Sequence, residues 1–156
     1  MSETAPGTPS VTFYVLAEAS ASARLRLACR IADKAYRAGQ KVLIWDPDAA
    51  ELAQLDELLW SFGDDRCFIP HELLVAGVAA EAPVLLSANA LPEGPIDVLM
   101  NLAEELPQFF TRATRVIEVI DGEDRRRAAG RARFKAYRER GLQPQSHHVG
   151  AGEPRP

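Results

Sequence analysis

Lys41-Val42-Leu43-Ile44-Trp45-Asp46 (KVLIWD) decides the fold of this chain. Its apolar residues run without a break. A strand with one wet face alternates apolar and polar residues, whereas a strand covered by helices on both faces reads as a continuous apolar run. The flanks carry helix signals. Upstream, Ser20 and Ser22 offer N-caps for a helix over about 21–38, with Leu25, Leu27, Ala28, Ile31, Ala32 and Ala35 as its apolar stripe. Gly39 is its natural stop. Downstream, Asp46-Pro47-Asp48 opens a second helix over about 49–60, with Asp48 as cap.

The pattern repeats outward. Val11–Ala17 (VTFYVLA) is β-branched and aromatic, hence a strand. Pro83–Ser87 (PVLLS), Ile96–Asn101 (IDVLMN) and Arg115–Ile120 (RVIEVI) are further short strands. A short helix is expected over Glu104–Arg112, and a basic helix between Asp121 and Gly141. Cys67–Leu74 is a mixed segment in which Pro70 opposes any long regular element. Strands alternating with helices predict one α/β domain with three layers, α/β/α, around a mainly parallel sheet of Rossmann-like type. That domain spans 11–142. Residues 1–10 read as a flexible arm and 143–156, rich in Pro and Gly, as a disordered tail.

Composition narrows the function. The 156 residues suit one core, and the net charge of -4 argues against a protein that coats nucleic acid through overall basicity. Two cysteines, Cys29 and Cys67, both in apolar surroundings, read as buried thiols of a cytosolic protein. The polar opening MSETAPGTPS is no signal peptide, and no apolar run suits a membrane span. Doubly wound sheets often bind nucleotides, but no GxGxxG or GxxxxGK[ST] loop occurs. His71 beside Pro70 reads as a structural or interface histidine, and His147-His148 lie in the expected tail. No catalytic or metal-binding set assembles from these residues, so neither metal nor cofactor is expected.

Two surfaces remain. Ten of the eighteen Lys and Arg residues lie between Arg112 and Arg140, whereas 42–111 holds only Arg66. On a helix, Arg127, Arg131, Phe134 and Arg138 share a face and Lys135 borders it. Ala128, Ala129, Ala132 and Ala136 are expected to pack on the sheet. Guanidinium groups around an aromatic ring suit an acidic peptide with a hydrophobic end. The plainer alternative is a solvated helix whose arginines pair with Asp121, Glu123, Asp124 and Glu139. The second surface joins Asp56–Trp60 to Cys67–His71, where Trp60 and Phe68 could form an interface or simply pack in the core.

Thr12-Phe13-Tyr14, Ala38–Ile44 (AGQKVLI), Leu55–Trp60 (LDELLW), Phe68–His71 (FIPH) and Arg133–Arg138 (RFKAYR), in this order, resemble the chi subunit family of the bacterial DNA polymerase III holoenzyme. The resemblance covers about 11–142. It implies a non-catalytic accessory protein of the clamp loader, cytoplasmic and part of the replisome. It implies two partners: the psi subunit or a replacement for it, and the acidic C-terminal tail of single-stranded DNA-binding protein, which ends in a hydrophobic residue. DNA contact would be mainly indirect, with no membrane contact. Carried over by position, Ile120, Arg127, Arg131, Phe134 and Lys135 would hold the tail, with Arg138 on the same face. Trp60, Phe68, Pro70 and His71 would face psi. Phe134 stands where the family pattern suggests tyrosine, and Arg127 where it suggests lysine. A second reading, direct binding of single-stranded nucleic acid, would use Phe134 and Tyr137 as stacking platforms in a basic groove.

Overall fold

The computed structural model describes residues 8–61 and 69–150. Among these residues seven strands form one sheet: β1 Ser10–Leu16, β2 Val42–Trp45, β3 His71–Leu73, β4 Val84–Ser87, β5 Ile96–Asn101, β6 Ala113–Ile120 and β7 Gln145–Val149. Their order is β3-β4-β2-β5-β6-β1-β7, and every pairing is parallel. Three helices cover it: α1 Ala21–Arg37, α2 Ala49–Ser61 and α3 Asp124–Glu139.

The unbroken apolar runs have the predicted cause. Val42 and Ile44 of β2 face the layer of α1 and α2, together with Val84, Leu86, Val98, Met100, Ile117 and Val119. Leu43 faces the other way, with Phe13, Leu85, Leu99 and Val116, toward Tyr137 of α3 and Phe110. Each face thus buries its own cluster, and burial at roughly 25 cal/mol per Å² of apolar surface drives both layers onto the sheet. The caps are also as read. Ser20 accepts from the Ala23 amide (3.1 Å), and Asp48 Oδ1 from the amides of Ala50 and Glu51 (3.0 and 3.2 Å). Gly39 follows α1 at φ 79°, the left-handed conformation that its missing Cβ permits.

Three expectations change. The helix over 104–112 is only a 3₁₀ turn, Phe110–Arg112. Pro107 lacks an amide proton and disfavours helical geometry at Leu106, so no helix can run through. The segment 143–156 is not wholly disordered: Gln145–Val149 adds β7 to the sheet, pairing Thr12 with Gln145 through to Leu16 with Val149. Its composition is polar because an edge strand buries little, here Val149 alone. Backbone pairing to the open side of β1 holds it, with the Tyr14 and His147 rings 5.4 Å apart. Lastly, Ala128 and Ala132 of α3 are exposed, and Gly130, Arg133 and Tyr137 face the sheet instead. An arginine points inward here because β6 offers it a carboxylate. The expected arm lies mostly in residues 1–7, and 151–156 end the expected tail; both stretches fall outside the described residues.

Cys29 is buried on α1, and burial pushes its thiol up to about 12, which leaves it an unreactive core residue. Among the described residues no helix is long and apolar enough to cross a membrane.

Candidate functional site

The helix α3 is held at its start by Glu123, whose carboxylate accepts from the amides of Arg125 and Arg126 (3.1 and 2.9 Å). These bonds hold the Glu123 carboxyl below its usual range. Its arginines then divide into two sets. Arg125 pairs with Glu104 (3.0 Å), Arg126 with Asp121 (2.7 Å) and Arg133 with Glu118 (2.9 Å). The side chains of Arg127, Arg131, Lys135 and Arg138 make no ion pair or hydrogen bond among the described residues. The plainer alternative, a helix whose charges cancel, therefore holds for one flank only. The face drawn from spacing is the uncompensated one.

That face lies at the border between the buried and the wet sides of α3. Arg131, Lys135 and Arg138 are exposed, and Arg127 and Phe134 are half-buried. The Phe134 ring leans on Phe13, with centroids 5.2 Å apart. It therefore presents one apolar face while its other side is anchored in the core. Ile120, at the end of β6, is buried beneath Gly130, which stands one turn of α3 from both Arg127 and Phe134. A Cβ on Gly130 would stand 2.6 Å from Ile120 Cδ1, so the glycine is what lets α3 lie this close to β6. Gly130→Ala is expected to cost about 1 kcal/mol in urea unfolding, because the clash exceeds the gain in helix propensity. In an Ile120→Val background the same change should cost nothing; an unchanged loss there would remove Ile120 as the cause.

Elsewhere on the molecule, Trp60 lies in the last turn of α2 and is 61% exposed. Its ring meets His71 edge-on, with centroids 5.1 Å apart. The His71 ring lies between the Ile69 carbonyl (2.8 Å, at Nδ1) and Asp56 Oδ1 (2.9 Å, at Nε2). A histidine held on both nitrogens is structural, and here it braces α2 against β3. Pro70, half-buried, directs the chain into β3. Phe68 lies outside the described residues. The structure thus brings Trp60, Pro70 and His71 together, and places Arg127, Arg131, Phe134, Lys135 and Arg138 together on α3.

Residues 9–145 match the model of the DNA polymerase III chi subunit, HolC. The chain belongs to this chi subunit family. It is 43% identical over 139 residues to DNA polymerase III subunit chi of Pseudomonas aeruginosa, covering 89% of this chain and 96% of that one. It is 31% identical to the subunit chi of Haemophilus influenzae, covering 88% and 96%, and 33% identical to that of Escherichia coli, covering 85% and 93%. Membership places the chain among the subunits of a DNA polymerase, in DNA replication. The match ends at Gln145, the first residue of β7, so most of that strand lies beyond it.

Under α3 the chi-family chain also carries a polar cluster that spacing did not reveal. Glu118 of β6 is fully buried. Its carboxylate accepts from Arg133 Nε (2.9 Å), from Asn101 Nδ2 (3.0 Å) and from the Tyr137 hydroxyl (2.8 Å). Arg133 also donates to the Glu104 carbonyl (2.7 Å), and Asn101 Oδ1 accepts from the Ala103 amide (3.1 Å). Burial pushes the Glu118 carboxyl up, and the Arg133 guanidinium pulls against it most strongly. Burial and the neighbouring carboxylate keep the Tyr137 hydroxyl protonated as a donor. One signal for this cluster was present in the sequence: Glu118 interrupts the apolar run RVIEVI, and a charge in a doubly covered strand needs partners.

Proposed function

We propose that this chain is the chi-type accessory subunit that binds the acidic C-terminal tail of single-stranded DNA-binding protein through α3 and faces a psi-type partner through the Trp60 surface. The observation that carries the reading is the division of charges on α3. Three arginines are paired, and Arg127, Arg131, Lys135 and Arg138 stay uncompensated around the half-buried Phe134 ring. Acidic residues of the tail would meet the cations, and its terminal hydrophobic side chain would lie on Phe134. Arg131, exposed and central, would take the terminal carboxylate in a two-pronged contact. The hydroxyl of a tyrosine is missing at Phe134, so apolar contact and charge must supply the affinity. Several such tails on coated DNA would raise the local concentration of the polymerase assembly without tight binding at one site. Tyr137, the second ring a nucleic-acid groove would need, is fully buried against Glu118 and offers no stacking platform.

Titration with a tail peptide tests this. Arg131→Ala is expected to weaken binding about tenfold or more, and binding should weaken further as salt rises. Removal of the peptide's terminal hydrophobic residue should have an effect of similar size. A peptide that binds equally well in both cases, or an oligonucleotide of equal affinity, would overturn the assignment.

A further inference from the structure

A cavity of about 860 Å³ opens on the flank of α3 away from the Arg131 face, at the C-terminal ends of β2, β5 and β6. Parallel sheets bind ligands at such ends, and the volume is that of a small-ligand site. Of the residues placed on the tail-binding face, only Ile120 reaches it. Its charges are unevenly matched. Arg24, Arg125, Arg126 and Arg133 all line it, and each is paired with its own carboxylate: Glu51, Glu104, Asp121 and Glu118. The charge left over is acidic, and its deepest member is Asp46.

Asp46 is 2% exposed. Its Oδ1 accepts from the Asp48 amide (3.0 Å), but no hydrogen-bond donor of the described residues reaches Oδ2. The polar group beside it is Glu51, another carboxyl, which can bond it only if one of the two carries a proton, and a cation donating to Oδ2 would displace that proton. A buried carboxyl oxygen with no donor is costly, and the missing donor is the feature to explain. In the same cavity, Trp45 and Phe109 are half-buried and stand edge-to-face, with centroids 4.7 Å apart. An aromatic wall and a carboxylate lining one cavity suit a flat organic cation on an apolar stem, which stacks on the rings and donates to the oxygen. Arg24 already engages Glu51 and the carbonyls of Val119 and Leu102, so it does not fill this role.

We infer that this cavity is a second binding site, for a guanidinium group on an apolar stem, with Asp46 as its counter-charge and Trp45 and Phe109 as its wall. An arginine side chain presented by a partner has this chemistry, and so has a free small guanidine. N-acetyl-arginine methylamide is the probe, titrated calorimetrically into the full chain. Saturable binding is expected, at least tenfold weaker for the uncharged citrulline analogue. Asp46→Asn keeps the acceptor for the Asp48 amide, so it should fold and yet lose the probe by at least tenfold. Phe109→Leu, at the half-buried rim, should weaken it as well, and Arg131→Ala should leave it unchanged. Methylguanidine binding as tightly as the probe would make a free small cation the occupant; a clear preference for the longer probe would make it an arginine on a chain. The inference is overturned by no saturable binding to the wild type, by equal binding of the citrulline analogue, or by a folded Asp46→Asn that binds as before. None of these outcomes bears on the tail peptide.

Discussion

Glu118→Ala is expected to destabilise the protein by about 3–5 kcal/mol, the cost of leaving one partner of a buried ion pair alone. Three donors converge on this carboxylate, from Arg133, Asn101 and Tyr137. Without it the Arg133 guanidinium, 5% exposed, keeps its charge, because arginine does not deprotonate. It keeps only the Glu104 carbonyl as a partner, and the Tyr137 hydroxyl keeps none. Urea unfolding of the single variant measures the loss. The combined variant Glu118→Leu, Arg133→Met, Tyr137→Phe removes every charged or orphaned side chain except Asn101, and should recover more than half of it. If the single variant lost under 1 kcal/mol, water would have to replace the carboxylate, and the cluster would not be the clamp between α3 and the sheet. The tail-peptide affinity of a Glu118 variant should fall as well, since Phe134 and Arg131 lie on the same helix as the two groups Glu118 holds.

Asp46→Asn should have the opposite sign: a gain of several kcal/mol, up to about 5, at pH 8. Burial, then the hydrogen bond to Glu51, raises the Asp46 carboxyl from 3.8 to about 8. The folded value lies above the unfolded one. Between those two values the folded chain therefore holds a proton that the unfolded chain has released. Stability falls as pH rises through that window and levels off above about 8. Asparagine has the shape of the protonated acid, can donate to Glu51 and never needs the proton. The gain should thus be close to nothing at pH 4 and grow steadily toward pH 8, as read from urea unfolding at a series of pH values. An equal gain at both ends would trace it to packing rather than to charge. A position that costs stability is typical of a residue kept for binding, which agrees with the role inferred for this cavity.

Much of the fold was legible because it rests on local rules. KVLIWD, IDVLMN and RVIEVI are mainly apolar and lack the strict alternation of a strand with one wet face, as expected of a sheet covered on both faces. Ser20, Asp48 and Gly39 punctuate helices by backbone bonding that any sequence reveals. The cationic face of α3 followed from the 3.6-residue period alone. What stayed hidden depended on partners distant in sequence. The strand β7 exists through its pairing with β1, not through its own polar residues. Ala128 and Ala132 suited burial by size, yet Arg133 took the inward side because Glu118 and Asn101 meet opposite each other in the register of β5 and β6. Asp46 looked like the start of a helix cap, and it is one through Asp48; its unfilled oxygen appears only once the cavity is assembled around it.

The place of β1 in the sheet has a consequence for how the chain is born. Its two neighbours are β6 and β7, at 113–120 and 145–149. During synthesis the first strand to emerge therefore finds no partner until residues 113–120 have been made, and its outer edge stays open until 145–149 follow. Strands β2, β4 and β5 can pair among themselves much earlier. Long-range parallel pairing is slow to form and exposes unpaired edges while it waits. The ribosome should thus release this protein with one half of the sheet assembled and the other, which carries α3, still to close.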